Sequence, residues 1–291
     1  MARTRGGAAA VLAAALLWGT MGPVAALYPA GSALGVASWR LVIGAGALLV
    51  AVTVVRGWRP WTRADRGPAV SGVVAMAAYS GLYFPAVALS GVAVATVVSI
   101  GAAPLMAGAT HAVRGGRVDR RWLVATVVGI VGMALVVLPG AHSPGSWLGV
   151  VLALLAAAAY SWQAHAINQL SPRHGAVEIV AVLFGGAAVV FVPIAIASAS
   201  LVTASAASAL GVVYLGLFTT SIAYALFAFG IPHVGAPTAV TLSLVEPVAA
   251  TALAALVAGQ VPAPVQMLGI VVTLAAVALL TLVPRGSSRP V

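Results

Sequence analysis

Turn residues and charges cut the chain into ten apolar segments, approximately Ala8–Tyr28, Ala33–Val55, Ala69–Leu89, Val92–Val113, Trp122–Leu138, Trp147–Asn168, Val177–Ala197, Ala207–Gly230, Ala236–Ala258 and Pro264–Val283. About 20 apolar residues in a helix span the hydrocarbon core of a bilayer. Lipid offers backbone N–H and C=O groups no partner, so segments of this length can cross only as helices. This succession predicts an all-α integral membrane protein with ten transmembrane helices. Composition agrees: 6% of the residues are charged, against about 25% in soluble domains.

The arginines then orient the segments. Arg3 and Arg5 lie in the head, and Arg56, Arg59, Arg63 and Arg66 in the second connection. Arg114, Arg117, Arg120 and Arg121 are in the fourth connection, Arg173 in the sixth, and Arg285 and Arg289 in the tail. The odd-numbered connections carry none. Arginine excess marks the cytoplasmic side, so both termini are expected to be cytoplasmic. The formal net charge of +10 would otherwise suggest nucleic acid as a partner. A nucleic-acid surface has no reason to appear on every second connection, whereas charges that orient the chain against anionic lipid do. The Arg-bearing head followed directly by further spans reads as an uncleaved first helix. Leu282–Ser287 matches a thrombin-site pattern and carries no functional reading. With no cysteine, thiolate chemistry and cysteine metal sites are excluded, and no cofactor or metal is expected.

The chain also repeats. The fourth segment reads GVAVATVVSIGAAP and the ninth VGAPTAVTLSLVEP, each with a mid-span proline, Pro104 and Pro247, about half the chain apart. A glycine-containing turn and a glycine-bearing segment follow each. The reading is two five-helix units, 1–140 and 146–285, with a short tail, 286–291. Five is odd, so the second unit enters the membrane inverted, and inverted repeats with interrupted helices are the mark of secondary transporters that bind substrate near the midplane.

Several motifs add a resemblance. LLWGTMGPVA (Leu16–Ala25), SWRLVIGAGALL (Ser38–Leu49) and LSLVEPVAATALAALVAGQ followed by PVQMLGIVV resemble, in order and spacing, the EamA-type transporters of the drug/metabolite transporter superfamily. The resemblance implies a bacterial inner-membrane permease that exports small metabolites, amino acids or amphiphilic drugs. It also implies a substrate path between the first, third, fourth, sixth, eighth and ninth helices. Two turns depart from the pattern: Arg114-Gly115-Gly116-Arg117 and Ala258-Gly259-Gln260 lack the glutamate common after the fourth and ninth helices. A facilitative exchanger of another solute class, nucleotide/sugar-like or thiamine-like, is the alternative. An intramembrane enzyme acting on lipid is poorly equipped, with four acids in the whole chain and no assembled nucleophile and base. A nucleotide-driven pump would need a GxxxxGK[ST] loop, which is absent. Oligomeric state is open, and a monomer suffices.

Glu246 leads the candidate residues, because an acid in the middle of a span costs several kcal/mol and is functional by default. It could bind a substrate amine, carry a coupling proton, or hydrogen-bond a neighbouring helix to hold the repeats together. Arg40, about 10 Å inside the outer end of the second segment, could take a substrate carboxylate bidentately or snorkel to the surface. Trp18, Tyr79, Tyr83, Tyr160, Trp162 and Tyr224 lie mid-span, where aromatic polar groups need partners, and are candidate pathway residues. Trp39, Trp58, Trp61, Trp122 and Trp147 lie at span ends and read as an interfacial belt. His165 is a possible relay or a locally bonded side chain. Pro85, Pro104, Pro232 and Pro247 are candidate bending points. Glu178 reads as a solvated acid at a helix start.

Overall fold

The computed structural model describes residues 2–21, 24, 27–29, 31–56, 58–140, 146–259 and 261–282. The tail 286–291, Gln260, Arg285 and Arg289, and most of the thrombin-like stretch lie outside these residues. Every regular element among the described residues is helical. In order they are α1 (Ala2–Gly19), α2 (Ala33–Ala51) with a π turn (Val52–Arg56), α3 (Arg63–Val113), α4 (Arg120–Val137), α5 (Trp147–Leu170), α6 (Ala176–Ala197) and the short α7 (Ala199–Val202). Then α8 (Ala206–Tyr214) runs through a π turn (Leu215–Ile222) into α9 (Ala223–Val234), α10 (Ala236–Leu242) is joined by a 3-10 turn (Ser243–Val245) to α11 (Glu246–Ala258), and α12 (Pro264–Thr281) closes the chain.

Eight helical runs among the described residues are long and apolar enough to cross a membrane. One of them, α3, has 51 residues, far more than one crossing needs. It is two helices that fold back on each other. At Gly91 the backbone leaves the helical region (φ 78°, ψ 157°). Across this point the Tyr83 hydroxyl lies 3.0 Å from Thr96 Oγ1, whereas thirteen residues of straight helix would separate them by about 20 Å. Ala86 and Ala95 also share one buried cluster. α3 therefore holds the third and fourth segments. The second half repeats the device: Gly235, between α9 and α10, has φ 86° and ψ 147°. This region of backbone space is essentially open only to glycine.

Hence the two breaks from helical backbone reside in glycines. Pro85 and Pro104 lie inside α3, where Gly91 alone leaves the helical region, and Pro232 lies inside α9. Pro247 differs, because the helix tightens to the 3-10 turn just before Glu246. A proline removes the partner of the carbonyl one turn earlier, and the tightened turn is the local response.

Helices from the two halves interleave. The two arms of α3 pack most extensively on α5, α4 on α12, α2 on α6, and α1 on α9. At the α4–α12 crossing the backbones touch: a Cβ added to Gly132 would lie 2.9 Å from the Gly269 carbonyl, and one at Gly269 would lie 2.6 Å from the Gly132 carbonyl. Lipid provides no hydrophobic drive between helices, so close approach of small residues is how they associate. Gly44 is similarly tight against Thr220, while Gly46 has nothing within 4 Å.

On the arginine-bearing face, one polar cluster ties the α2–α3 connection to the α5–α6 connection. Asp65 is fully buried and accepts from the Thr62 amide (2.8 Å) and hydroxyl (2.7 Å) and from Arg173 Nε (2.6 Å). Glu178, expected to be solvated, is buried. Its Oε1 accepts from Trp61 Nε1 (2.9 Å) and the Arg59 amide (3.1 Å), with His174 Nδ1 at 3.2 Å. The Trp61 ring stacks on His174 at 4.0 Å. Trp61 is thus a clamp as well as a span-end residue. A carboxylate buried among several donors avoids the desolvation cost an isolated one would carry.

Candidate functional site

Nine side chains converge on one pocket midway along the bundle: Trp18, Met21, Arg40, Tyr79, Ile100, Tyr160, Tyr224, Ser243 and Glu246. They come from α1 and the turn after it, α2, both arms of α3, α5, α9, and the broken helix α10–α11. Periodicity explains how each helix contributes. Tyr224 and Phe227 share a face of α9 at i, i+3, and both pack on Trp18, at 4.9 and 5.4 Å between ring centroids. Tyr79 reaches Tyr160 at 5.6 Å, and Tyr160 stacks on Phe227 at 5.8 Å. The walls are thus a continuous aromatic cluster.

The π turn Leu215–Ile222 places two polar groups at its edge. It presents the Thr219 carbonyl, which accepts from Trp18 Nε1 at 2.9 Å, and the Thr220 hydroxyl, 3.5 Å from Arg40 Nη1. Such π turns inside α-helices are concentrated at functional sites. On the opposite wall the Tyr160 hydroxyl donates to Ser243 Oγ at 3.3 Å. Ser243 donates in turn to the Val240 carbonyl at 2.7 Å, in the 3-10 turn that leads into Glu246.

The two charges of the pocket are not joined. Among the described residues Arg40 has only long contacts, to Thr220 at 3.5 Å and to Met21 Sδ at 3.6 Å. Among the described residues the ion pairs within 4.0 Å are Asp65 with Arg173 and His174, and Glu178 with His174. Arg40 and Glu246 therefore face one space without a direct ion pair between them. A ligand carrying both charge signs could satisfy both. The cavity volume is about 30 Å³, enough for one or two waters and no more. Helices must part for a metabolite to enter.

The remaining sequence candidates sit apart from this pocket. Trp162 is 40% exposed on the far side of α5, because two residues along a helix is a rotation of about 200° from Tyr160. The Arg114 guanidinium lies over its ring at 4.9 Å. Tyr83 stacks on Tyr79 at 5.7 Å, one ring behind the pocket wall. His165 is buried, with Nδ1 3.0 Å from the Ser161 carbonyl, and is not in the lining. Trp122, read as a belt residue, is buried. Three pocket groups escaped the sequence reading, Met21, Ile100 and the Ser243 hydroxyl, as did Thr219 and Thr220, which bond Trp18 and Arg40 beside it. Ordinary apolar and hydroxyl residues carry no signal of their own, although the serine four residues before a mid-span proline is a position that proline chemistry singles out.

Helices long and apolar enough to cross a membrane, gathered round an aromatic pocket that holds an arginine and a glutamate, define an integral membrane protein of the transporter class. The model of the EamA-like transporter family matches residues 5–138 and again 147–282, so the chain belongs to that family and carries its domain twice. It is 34% identical over 284 residues to the uncharacterized transporter YwfM of Bacillus subtilis (strain 168), covering 94% of this chain and 93% of that one. A solved crystal structure superimposes with a TM-score of 0.79 over 95% of this chain and 96% of the other, at 20% identity, a likeness of fold.

Proposed function

We propose that this transporter carries a small zwitterion of the amino-acid type, bound between Arg40 and Glu246 and enclosed by Trp18, Tyr79, Tyr160 and Tyr224. One observation carries the reading: two opposite charges line one pocket, unpaired with each other. The carboxylate of the substrate meets the guanidinium in the bidentate geometry that group favours. Its ammonium meets Glu246 and the faces of the aromatic rings, which attract cations. Removing either charge from the substrate leaves one protein charge buried and unpaired, a cost well above that of a neutral mismatch.

The cycle is alternating access between two inverted five-helix units in the bacterial inner membrane. Both termini and the arginine-bearing connections face the cytoplasm, and net movement is outward. The pairing of α1 with α9 and of α3 with α5, together with the matched glycine turns at Gly91 and Gly235, supports such a two-fold exchange. Counterflow in proteoliposomes tests the substrate class. A labelled neutral amino acid should exchange at least about tenfold faster than its decarboxylated amine or its deaminated acid, the factor expected for one missing charged hydrogen bond. Equal rates for all three, or exchange of the amine alone, would sink the zwitterion reading.

A further inference from the structure

Trp18 and Arg40 reach the transport pocket from two different helices, α1 and α2, and one short element contacts both, the π turn Leu215–Ile222. Its Thr219 carbonyl holds the Trp18 indole at 2.9 Å, and its Thr220 hydroxyl stands 3.5 Å from the Arg40 guanidinium. The contact that fixes the turn itself lies one turn of α2 beyond Arg40. Gly44 shares the face of Arg40 at i, i+4. A Cβ added to Gly44 would lie 2.5 Å from Thr220 Cγ2. One added to Gly216 would lie 2.6 Å from Ile43 Cγ2 and 3.3 Å from the Arg40 carbonyl. Two glycines, one on each element, therefore let the backbones meet beside the arginine, as small residues do between helices in lipid.

Ser221 joins the two elements at that contact. It is buried, and its Oγ lies 3.0 Å from the Gly44 carbonyl of α2 and 3.0 Å from the Gly216 carbonyl of its own turn. A hydroxyl has one proton to donate, so the two oxygens share it. The second contact spans five residues, the π register, against four in an α-helix. One side chain thus marks the widened register and ties it to α2. Successive residues of a helix point about 100° apart. A change of register therefore swings the Thr219 carbonyl away from Trp18 and the Thr220 hydroxyl away from Arg40 together.

We propose that Ser221 is a positioning residue for substrate recognition: it pins the π turn to α2 and so holds Trp18 and Arg40 in the geometry that meets the substrate. Ser221 is not in the pocket lining and acts through those two side chains. The part concerning Arg40 rests on the zwitterion reading above, whereas the part concerning Trp18 is independent of the substrate. Gly44 lies inside α2, whose own ladder serves its carbonyl, so Ser221→Ala leaves that acceptor satisfied and removes the link alone.

The test compares wild type with Ser221→Ala and Ser38→Ala, in nanodiscs for spectroscopy and in proteoliposomes for transport. Ser38 is a buried serine of α2 whose hydroxyl donates to the Leu34 carbonyl of the same helix, so it controls for the loss of a buried hydroxyl. With ¹⁵N-labelled tryptophan, the Trp18 indole signal is assigned by its loss in Trp18→Phe. Ser221→Ala should move that proton signal upfield, as the hydrogen bond to Thr219 lengthens, while the other tryptophan signals stay in place. In counterflow the apparent KM of a neutral amino acid should rise about fivefold, the factor of one hydrogen bond. The maximal rate should hold, as should the KM of the decarboxylated amine, which has no carboxylate for Arg40. Ser38→Ala should change neither readout. A Trp18 signal unmoved by Ser221→Ala, or the same response to Ser38→Ala, would overturn the proposal whatever the substrate. Where wild type prefers the amino acid, a KM unchanged, or raised equally for both solutes, would overturn it too. A wild type that exchanges both alike refutes the zwitterion reading alone, and the Trp18 signal then decides the pin.

Discussion

At the residue scale the account turns on which side chains of a helix share its face. Tyr160 and Trp162 are two residues apart and point to opposite sides of α5: one lines the pocket, and the other lies under Arg114 at the periphery. Trp162→Ala should leave counterflow within about twofold of wild type, in keeping with an exposed site. Tyr160→Phe, which removes the bond to Ser243, should slow it several-fold, about the 1 kcal/mol of one hydrogen bond. Counterflow rates of the two variants check both. Glu246 was legible in the sequence because a mid-span acid is costly wherever it sits. Glu178 was misread for the converse reason. An acid at a span end looks solvated, and only the fold brings Trp61 and Arg59 from distant positions to join the neighbouring His174 and bury it. The same holds for Trp122, whose belt-like place in the sequence conceals its burial against Gly108.

At the element scale the helices were readable from their apolar runs, and the boundary near residue 91 was placed where the turn lies. The geometry of that turn was not legible. Prolines advertise bends, yet helical backbone continues through Pro104, and the reversal is made by Gly91, one glycine among 32. Only its left-handed φ distinguishes it. Gly235 has no heavy atom within 4 Å of an added Cβ, so Gly235→Ala isolates the backbone term. It should destabilise the protein by about 1–3 kcal/mol. Gly46→Ala, with equal free space but within α2, should be neutral or stabilising, since alanine is the better helix former. Thermal unfolding in detergent separates the two.

At the scale of the whole molecule, arginine placement makes a directional statement that the helix packing does not. The chain has no cysteine, so single-cysteine variants report sidedness without background. In sealed right-side-out vesicles, a cysteine at Ser146 in an arginine-free connection should react with an impermeant maleimide, while one at Val118 among the arginines should react only after permeabilisation. The reverse pattern would invert the orientation proposed above. The repeat was visible in the sequence through Pro104 and Pro247, and the family model finds it twice. The family resemblance named the first, third, fourth, sixth, eighth and ninth segments as a path; which of their side chains meet, and that α2 joins them through Arg40, was not visible, because pairing across halves is a property of the fold. The central claim is that Arg40 and Glu246 hold opposite ends of one substrate, and the direct measurement is exchange selectivity in Arg40→Gln and Glu246→Gln. Both should lose at least about tenfold of amino-acid exchange. Arg40→Gln should at the same time discriminate least against the amine, and Glu246→Gln least against the acid. Variants that slow all three substrates equally, or that leave wild-type selectivity intact, would contradict the account.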